Sequence, residues 1–234
     1  MAVSGAISRA VLADQVKDRI LAAILSGEYA PDSRIVETQV ARELGTSQAP
    51  VREALRGLAA LGVVEIAPFR GARVRRPSRR EILEAYVVRS ALETLAATLA
   101  VPRLSSTDVD DLASDLAAMQ RAADADDGRA LADADARFHG RIVQAADNAT
   151  LLAVWRSLEP FSRTYLTLVV PGADPHWSAD LHIPILAAVE RRDAAEVAGA
   201  LGLHFDEISD NMSRRLPRDD GDVTLDAGTT RGST

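Results

Sequence analysis

Residues 36–74 read VETQVARELGTSQAPVREALRGLAALGVVEIAPFRGARV. ETQVARELGTS (37–47) places Val40, Ala41 and Leu44 on one helical face, and Gly45 stands where a C′ glycine ends a helix. QAPVREALRGLAALG (48–62) repeats the pattern, with Val51, Ala54, Leu55, Leu58 and Leu61 at i, i+3, i+4 and i+7 spacing. Pro50 fits a first helical turn, where a missing N–H costs nothing, and Gly62 stops the helix. Two β-rich segments follow, 63–66 and 72–74, joined by Ala-Pro-Phe-Arg-Gly. Helix, turn, helix and hairpin together predict a winged helix-turn-helix, a shape that reads DNA.

Upstream, Val11 to Ser26 predicts an amphipathic helix (Val11, Leu12, Val16, Ile20, Ala23, Ile24) closed by Gly27 and packed beneath the helix-turn-helix. Downstream, Arg75-Arg76-Pro77-Ser78 reads as a domain boundary, and Ser78 with Glu81 forms a capping box that opens a new helix. From there the patterns are helical throughout, at 79–101, 106–123, 128–146, 149–169, 178–191 and 194–214, with Ser105 and Asp193 as further N-caps. The expected class is therefore mainly α: a winged helix-turn-helix over 9–76 and an all-helical bundle of about six helices over 78–214. Residues 1–8 and 215–234 are expected to be disordered tails, being rich in small and polar residues.

Composition agrees with a helical protein, since hydrophobic residues make up 47% and aromatic ones only 4%. No run of about 18 apolar residues exists, so no membrane span is expected. The N-terminus shows no signal-peptide pattern, which makes the cytoplasm the expected location. With no cysteine, disulfides are excluded and any metal must rest on histidines and carboxylates. The net charge of −7 hides a split: residues 1–77 carry 11 basic and 8 acidic groups, residues 78–234 carry 16 and 26. A basic head on an acidic body suits a nucleic-acid partner for the head.

The start of the second helix of such a motif reaches base edges. Here it offers Thr46, Ser47, Gln48, Ala49 and Pro50, with Arg52 and Arg56 one and two turns on. Gln48 can pair bidentately with adenine, and Arg52 can grip a guanine edge or a phosphate. Arg70 and Arg73 flank Gly71 on the wing, placed for backbone or minor-groove contact.

The body holds all four histidines, three of them on faces expected to be buried. In the helix at 128–146, Asp135 and His139 share a stripe with Leu131, Phe138 and Ile142, and their i, i+4 spacing makes the side chains converge. His182 lies 11 residues before Asp193 and His204 lies 11 after it. Residues equidistant from the turn of an antiparallel helical hairpin are level, so the two imidazoles meet at one height. Asp135, His139, His182 and His204 thus form a set suited to Zn, Ni, Co or Mn rather than Ca or Mg, with positions left for a small carboxylate. Each histidine taken alone also reads as a satisfied core residue. Pro184 must kink the 178–191 helix or sit in its first turn, with His182 at the helix start. His176 falls in a Pro/Gly/Asp-containing loop and is given no role.

Arg89 lies within the apolar stripe Ile82, Ala85, Tyr86, Leu92, Ala96 and Leu99, so it needs an anionic partner. Three partners fit: an internal carboxylate, a dimer contact, or the carboxylate of an effector, which a guanidinium fork holds bidentately. Arg163 and Tyr165 in FSRTYLTL are further candidates for an effector pocket wall.

Taken together, these residues make the chain resemble the GntR-type bacterial transcription regulators, in the branch whose effector domain is the FCD (FadR-like) type. ILSGEYAPDSRI, ARELGTSQAPVREALRGLAALGVVE and RGARV carry the head resemblance over 9–76. YVVRSALE, DARFHGRIVQAADN and LHIPILAAVERRDAAEVAGALGLHF carry the body resemblance over about 78–212. The resemblance implies a homodimer on pseudo-palindromic operator DNA and an organic or sugar acid effector. It also implies a divalent metal on Asp135, His139, His182 and His204. The chain departs from the family pattern at Gln48, commonly Arg, and Ala49, commonly Thr, so operator preference is expected to differ. Pro184 replaces a usually helix-friendly residue.

The expected function is thus a ligand-responsive transcriptional regulator, a repressor before an activator, and not an enzyme. Two rivals stand: a metal-dependent hydrolase using a metal-activated water, and a DNA-binding regulator with a purely structural metal and no effector.

Overall fold

The computed structural model of the protein describes residues 7–67, 70–168 and 174–215, and side chains over 12–158 and 174–215 within them. Residues 1–6, 68–69, 169–173 and 216–234 and the side chains of Arg163 and Tyr165 lie outside the described residues.

The head is built from α1 (Ile7–Leu25), α2 (Glu37–Glu43) and α3 (Gln48–Ala60), and from the strands β1 (Arg34–Ile35), β2 (Val64–Ala67) and β3 (Gly71–Val74). The first helix begins at Ile7, ahead of the Val11 expected from periodicity, and α2 ends at Glu43 rather than Ser47. Gly45, at φ +61°, turns the chain in the left-handed region between α2 and α3 at no steric cost. Val16, Ile20 and Ile24 of α1, Val40 of α2, Val51, Leu55 and Leu58 of α3, and Val64, Ala72 and Val74 of the sheet form one buried cluster. The helix beneath the motif is thereby confirmed. The sheet has three strands, ordered β1-β3-β2 and antiparallel throughout, one more than the expected hairpin. Two residues are too short a run for period-2 alternation to register, which is why β1 carried no pattern.

The body comprises α4 (Arg79–Ala100), α5 (Ser106–Asp124), α6 (Gly128–Ala145), α7 (Ala149–Leu168), α8 (Pro175–Asp180), α9 (Ile183–Glu190) and α10 (Ala194–Arg215), with a 3-10 turn at Val101–Arg103. Capping boxes at Ser78–Glu81 and Ser105–Asp108 open α4 and α5, and Asp193 accepts from the N–H groups of Ala195 and Glu196 at the start of α10. The helix expected at 178–191 is two helices, which raises the described total in the body to seven. Pro184 sits in the first turn of α9 with His182 at its N-cap, so the imidazole stands at a helix start. His176 stands in the first turn of α8, not in a loop.

A second buried cluster fills this bundle, from Ile82 and Tyr86 of α4 through Leu112 and Met119 of α5 and Phe138 and Ile142 of α6 to Val197, Leu201 and Phe205 of α10. Each helix presents one apolar stripe to this layer, which is how amphipathic helices bury area worth roughly 25 cal/mol per Å². The long α4 packs against α10, α6 and α7, these helices and the start of α9 hold the candidate site, and α1 of the head rests on α7. Among the described residues no helix is long and apolar enough to cross a membrane.

Candidate metal centre and nucleic-acid interface

Four of the polar residues singled out from the sequence meet inside the bundle. Asp135 is 5% exposed, His139 0%, His182 1% and His204 3%. One ring nitrogen from each of the three histidines lies within 4.8 Å of the others. The hairpin register works as expected, because the His182 and His204 rings are 4.6 Å apart between centroids. Oδ1 of Asp135 lies 3.2 Å from Nε2 of His182 and 3.7 Å from Nε2 of His139.

The protonation pattern is readable from the second partners. Nδ1 of His182 faces the carbonyls of Ser178 at 3.1 Å and Ala179 at 3.3 Å, so it donates, and in the neutral ring Nε2 carries the lone pair. Nδ1 of His139 faces the carboxylate of Glu93. The two Nε2 atoms then confront each other at 3.1 Å. Two nitrogens each about 2.0–2.1 Å from a shared ion sit roughly 3.0–3.4 Å apart, so this separation fits two ligands of one cation. His204 adds an Nδ1 that is buried with no hydrogen-bond partner. A buried His triad with an adjoining carboxylate and no sulfur can therefore bind a divalent transition metal.

Charge in this interior is arranged to keep the acids ionised and His204 neutral. Burial pushes the Asp135 carboxyl up, but His139 and His182 outweigh it and hold it well below the usual carboxylate range. Burial lowers the His204 imidazole far beneath 6.5, and the neighbouring His182 and His139 lower it further. A histidine that stays neutral in the fold but protonates in the unfolded chain stabilises less as pH falls through the unfolded value. In metal-free protein, stability is therefore expected to decline below about pH 6.5 by about 1.4 kcal/mol per pH unit from His204 alone. His204→Gln should flatten that slope in urea unfolding followed at pH 5 to 7.

Arg89 is 3% exposed, and its Nε donates to Oε1 of Glu93 at 2.7 Å, itself 0% exposed. The internal-carboxylate reading of Arg89 is thus realised, by a residue four positions along the same helix. Burial pushes the Glu93 carboxyl up, but Arg89 and His139 with hydrogen bonds from His139 and Trp155 hold it down at about 2. One arm of the guanidinium remains uncommitted, because Nη2 of Arg89 is buried without a hydrogen-bond partner. Sequence reasoning missed Glu93, although its i, i+4 spacing from Arg89 was the available signal.

On the head, Ser47, Gln48, Ala49, Arg52 and Arg56 are exposed along α3, with Thr46 half-buried. Pro50 is buried and belongs to the core side of the helix, so it does not read bases. Ser47 occupies the N-cap without bonding its own helix. Arg52 is already held, donating to Glu37 of α2 at 2.6 Å and to the Gln48 side-chain oxygen at 3.0 Å. On the wing, Arg70 and Arg73 are exposed, and Arg73 lies between Arg34 and Glu65 on adjacent strands. Gly71 has φ +79°, in the left-handed region that favours glycine, and the Arg34 guanidinium lies beside it, 3.5 Å from where a Cβ would stand. Arg34 is a basic group that the sequence did not single out, because only β1 pairing brings it to the wing.

Residues 12–74 match the family described as bacterial regulatory proteins, gntR family, and residues 84–207 match the FCD domain. The chain belongs to the GntR family. Within this GntR-family chain, the matched segments coincide with the winged head and the helical bundle. A relative from Paenarthrobacter nicotinovorans, named as a probable D-xylose utilization operon transcriptional repressor, is 36% identical over 87% of this chain and 89% of its own. The gluconate operon transcriptional repressor of Bacillus subtilis (strain 168) is 26% identical over 88% and 87%. The solved structure of E. coli McbR/YncC superposes with a TM-score of 0.77 at 23% identity over 87% of this chain and 97% of that one, which shows the shared fold. The relatives are transcription regulators rather than enzymes, so the GntR-family chain is a transcription regulator and the hydrolase rival is set aside.

Proposed function

We propose that this regulator represses transcription as a homodimer, and that a small organic or sugar acid bound in the FCD body changes its affinity for operator DNA. Asp135, His139, His182 and His204 would hold a divalent transition metal (Zn, Ni, Co or Mn), which when bound supplies a Lewis-acidic site for a carboxylate oxygen. The observation that carries the reading is the free Nη2 of Arg89 in the buried interior, one carboxylate away from the histidine cluster. A buried guanidinium arm without an acceptor is a standing demand for an anion, and a carboxylate satisfies it with two parallel hydrogen bonds. Arg163 and Tyr165 are assigned to further contacts with the same acid. The gluconate operon named for one relative supports the acid class. Val87, Val88 and Leu95 leave an exposed apolar stripe on α4, which suits burial against a second copy.

For switching, the acid must bind one arrangement of the two heads better than the other. The test is a thermal-shift titration of gluconate and other small carboxylates, with D-xylose as a neutral control, with and without a chelator. Stabilisation by an acid that disappears with the metal is the expected result. A response to the neutral sugar alone overturns the acid class. No response to any acid in metal-loaded protein leaves the structural-metal reading.

The reading of DNA is assigned to Thr46, Ser47, Gln48, Ala49, Arg52 and Arg56 on α3, with Arg70, Gly71 and Arg73 on the wing. Arg52→Ala is expected to weaken operator binding by about 1–3 kcal/mol and relax base preference at one position of each half-site. Arg73→Ala should weaken all duplexes alike and lower the salt slope by about 1. Fluorescence anisotropy at several salt concentrations separates the two. An Arg52 variant that binds every duplex with equally reduced affinity would make that side chain a phosphate contact.

A further inference from the structure

Glu93 has no access to solvent, yet both of its oxygens are engaged, and by chemically different partners. Oε1 accepts from Nε of Arg89 at 2.7 Å and from the indole N–H of Trp155 at 2.7 Å. Arginine and indole nitrogens can only donate, so they fix that end of the side chain as an acceptor. Oε2 faces Nδ1 of His139. An ionised carboxylate has no hydrogen to give, so the imidazole must place its own on Nδ1. In the neutral ring, the form that can ligate, Nε2 is then left with the lone pair that looks toward His182 at 3.1 Å.

Trp155 carries the other end of this arrangement. Its ring seats over Gly140 of α6, where an added Cβ would come within 3.3 Å of it. It also lines a cleft of about 660 Å³ between body and head, together with Lys17 and Asp18 of α1 and with Gln144 and Arg156. One carboxylate therefore touches a candidate metal ligand, the proposed effector arginine and the wall that faces the head.

We infer that Glu93 is the positioning residue of the centre: it fixes the His139 tautomer that can ligate a divalent ion, and it ties that ligand to Trp155 on the head-facing cleft. This rests on the metal reading proposed above. The isosteric change Glu93→Gln isolates the role. Its amide oxygen can still accept from Arg89 and Trp155, which turns the NH₂ toward His139. Nδ1 must then become the acceptor, the ring hydrogen moves to Nε2, and that nitrogen no longer ligates. Because Glu93→Gln alone strands the Arg89 charge, Arg89→Gln/Glu93→Gln serves as the second variant, with Trp155 still orienting the amide.

The experiment is Zn²⁺ binding by chelator competition on the full chain, with tryptophan emission recorded in a Trp177→Phe background, where Trp155 is the one tryptophan left of two. Both glutamine variants are expected to lose 10–100-fold in zinc affinity at unchanged far-ultraviolet circular dichroism. Trp155→Phe should keep zinc affinity within a few fold, since it donates to the other oxygen. Zinc should shift Trp155 emission in the Trp177→Phe parent, and the shift should be lost or moved to higher zinc in the glutamine variants. Zinc affinity within threefold of the parent in the glutamine variants overturns the inference and leaves the metal reading intact. An emission unchanged by bound zinc in the Trp177→Phe parent overturns the tie to the cleft. If the unmodified chain takes up no zinc, nickel, cobalt or manganese, the metal reading falls and takes this inference with it.

Discussion

Replacing Arg89 by methionine is expected to destabilise the FCD body by about 3–5 kcal/mol, because it strips a fully enclosed carboxylate of its guanidinium. Glu93 would keep the His139 and Trp155 hydrogen bonds, but a buried anion is neutralised by charge more than by dipoles. Arg89→Met/Glu93→Gln should cost distinctly less than Arg89→Met alone, since removing both members of a buried pair leaves no orphan charge. Both tryptophans, Trp155 and Trp177, belong to the body and none to the head, so fluorescence-detected urea unfolding reports the body selectively. A single substitution that costs under about 1 kcal/mol would show that water reaches the pair and would remove the reason for calling Nη2 a buried demand. The same variant should lose the stabilisation by carboxylates, so one protein tests both the structural and the ligand-holding roles of the arginine.

Removal of a divalent metal from the proposed centre is expected to be the second large effect. Three nearly fully buried imidazoles and a carboxylate converge on one point, so a cation held among them would bind the folded body and scarcely the unfolded chain. At a free-ion concentration a thousandfold above the dissociation constant, this linkage amounts to about 4 kcal/mol. For a chain of this size that is roughly 8–16 °C in the melting transition of the body. Scanning calorimetry with and without a chelator gives the value. His139→Ala should abolish the chelator effect, and a chelator shift that survives this substitution would place the ion elsewhere.

The sequence made most of this architecture legible for simple reasons. Long helices with one apolar stripe announce themselves by period, and Ser78, Ser105 and Asp193 mark their starts by capping chemistry. The four-residue constellation came from two geometric rules, the i, i+4 convergence of Asp135 on His139 and the equal arms of the hairpin around Asp193. What stayed hidden depends on contacts that no local pattern encodes. Arg34 reaches the wing only through pairing of β1 with β3. Pro50 sits at a helix start, which periodicity cannot orient, and packing turned it inward. Glu93 looked like an ordinary helical glutamate until His139 and Trp155 arrived from two other helices.

The hairpin between α9 and α10 has a consequence for how this chain can vary over evolutionary time. His182 and His204 are level because 11 residues separate each from Asp193, and Arg192, at φ +59°, makes the reversal. Connections between helices are ordinarily where insertions and deletions are best tolerated. Here an added residue drawn into either helix would turn its histidine by about 100° and slide it by about 1.5 Å, out of reach of its partner. The turn acts as a ruler, and lineages that keep the centre are restricted to substitution at a fixed length in a segment that would otherwise be free to grow or shrink.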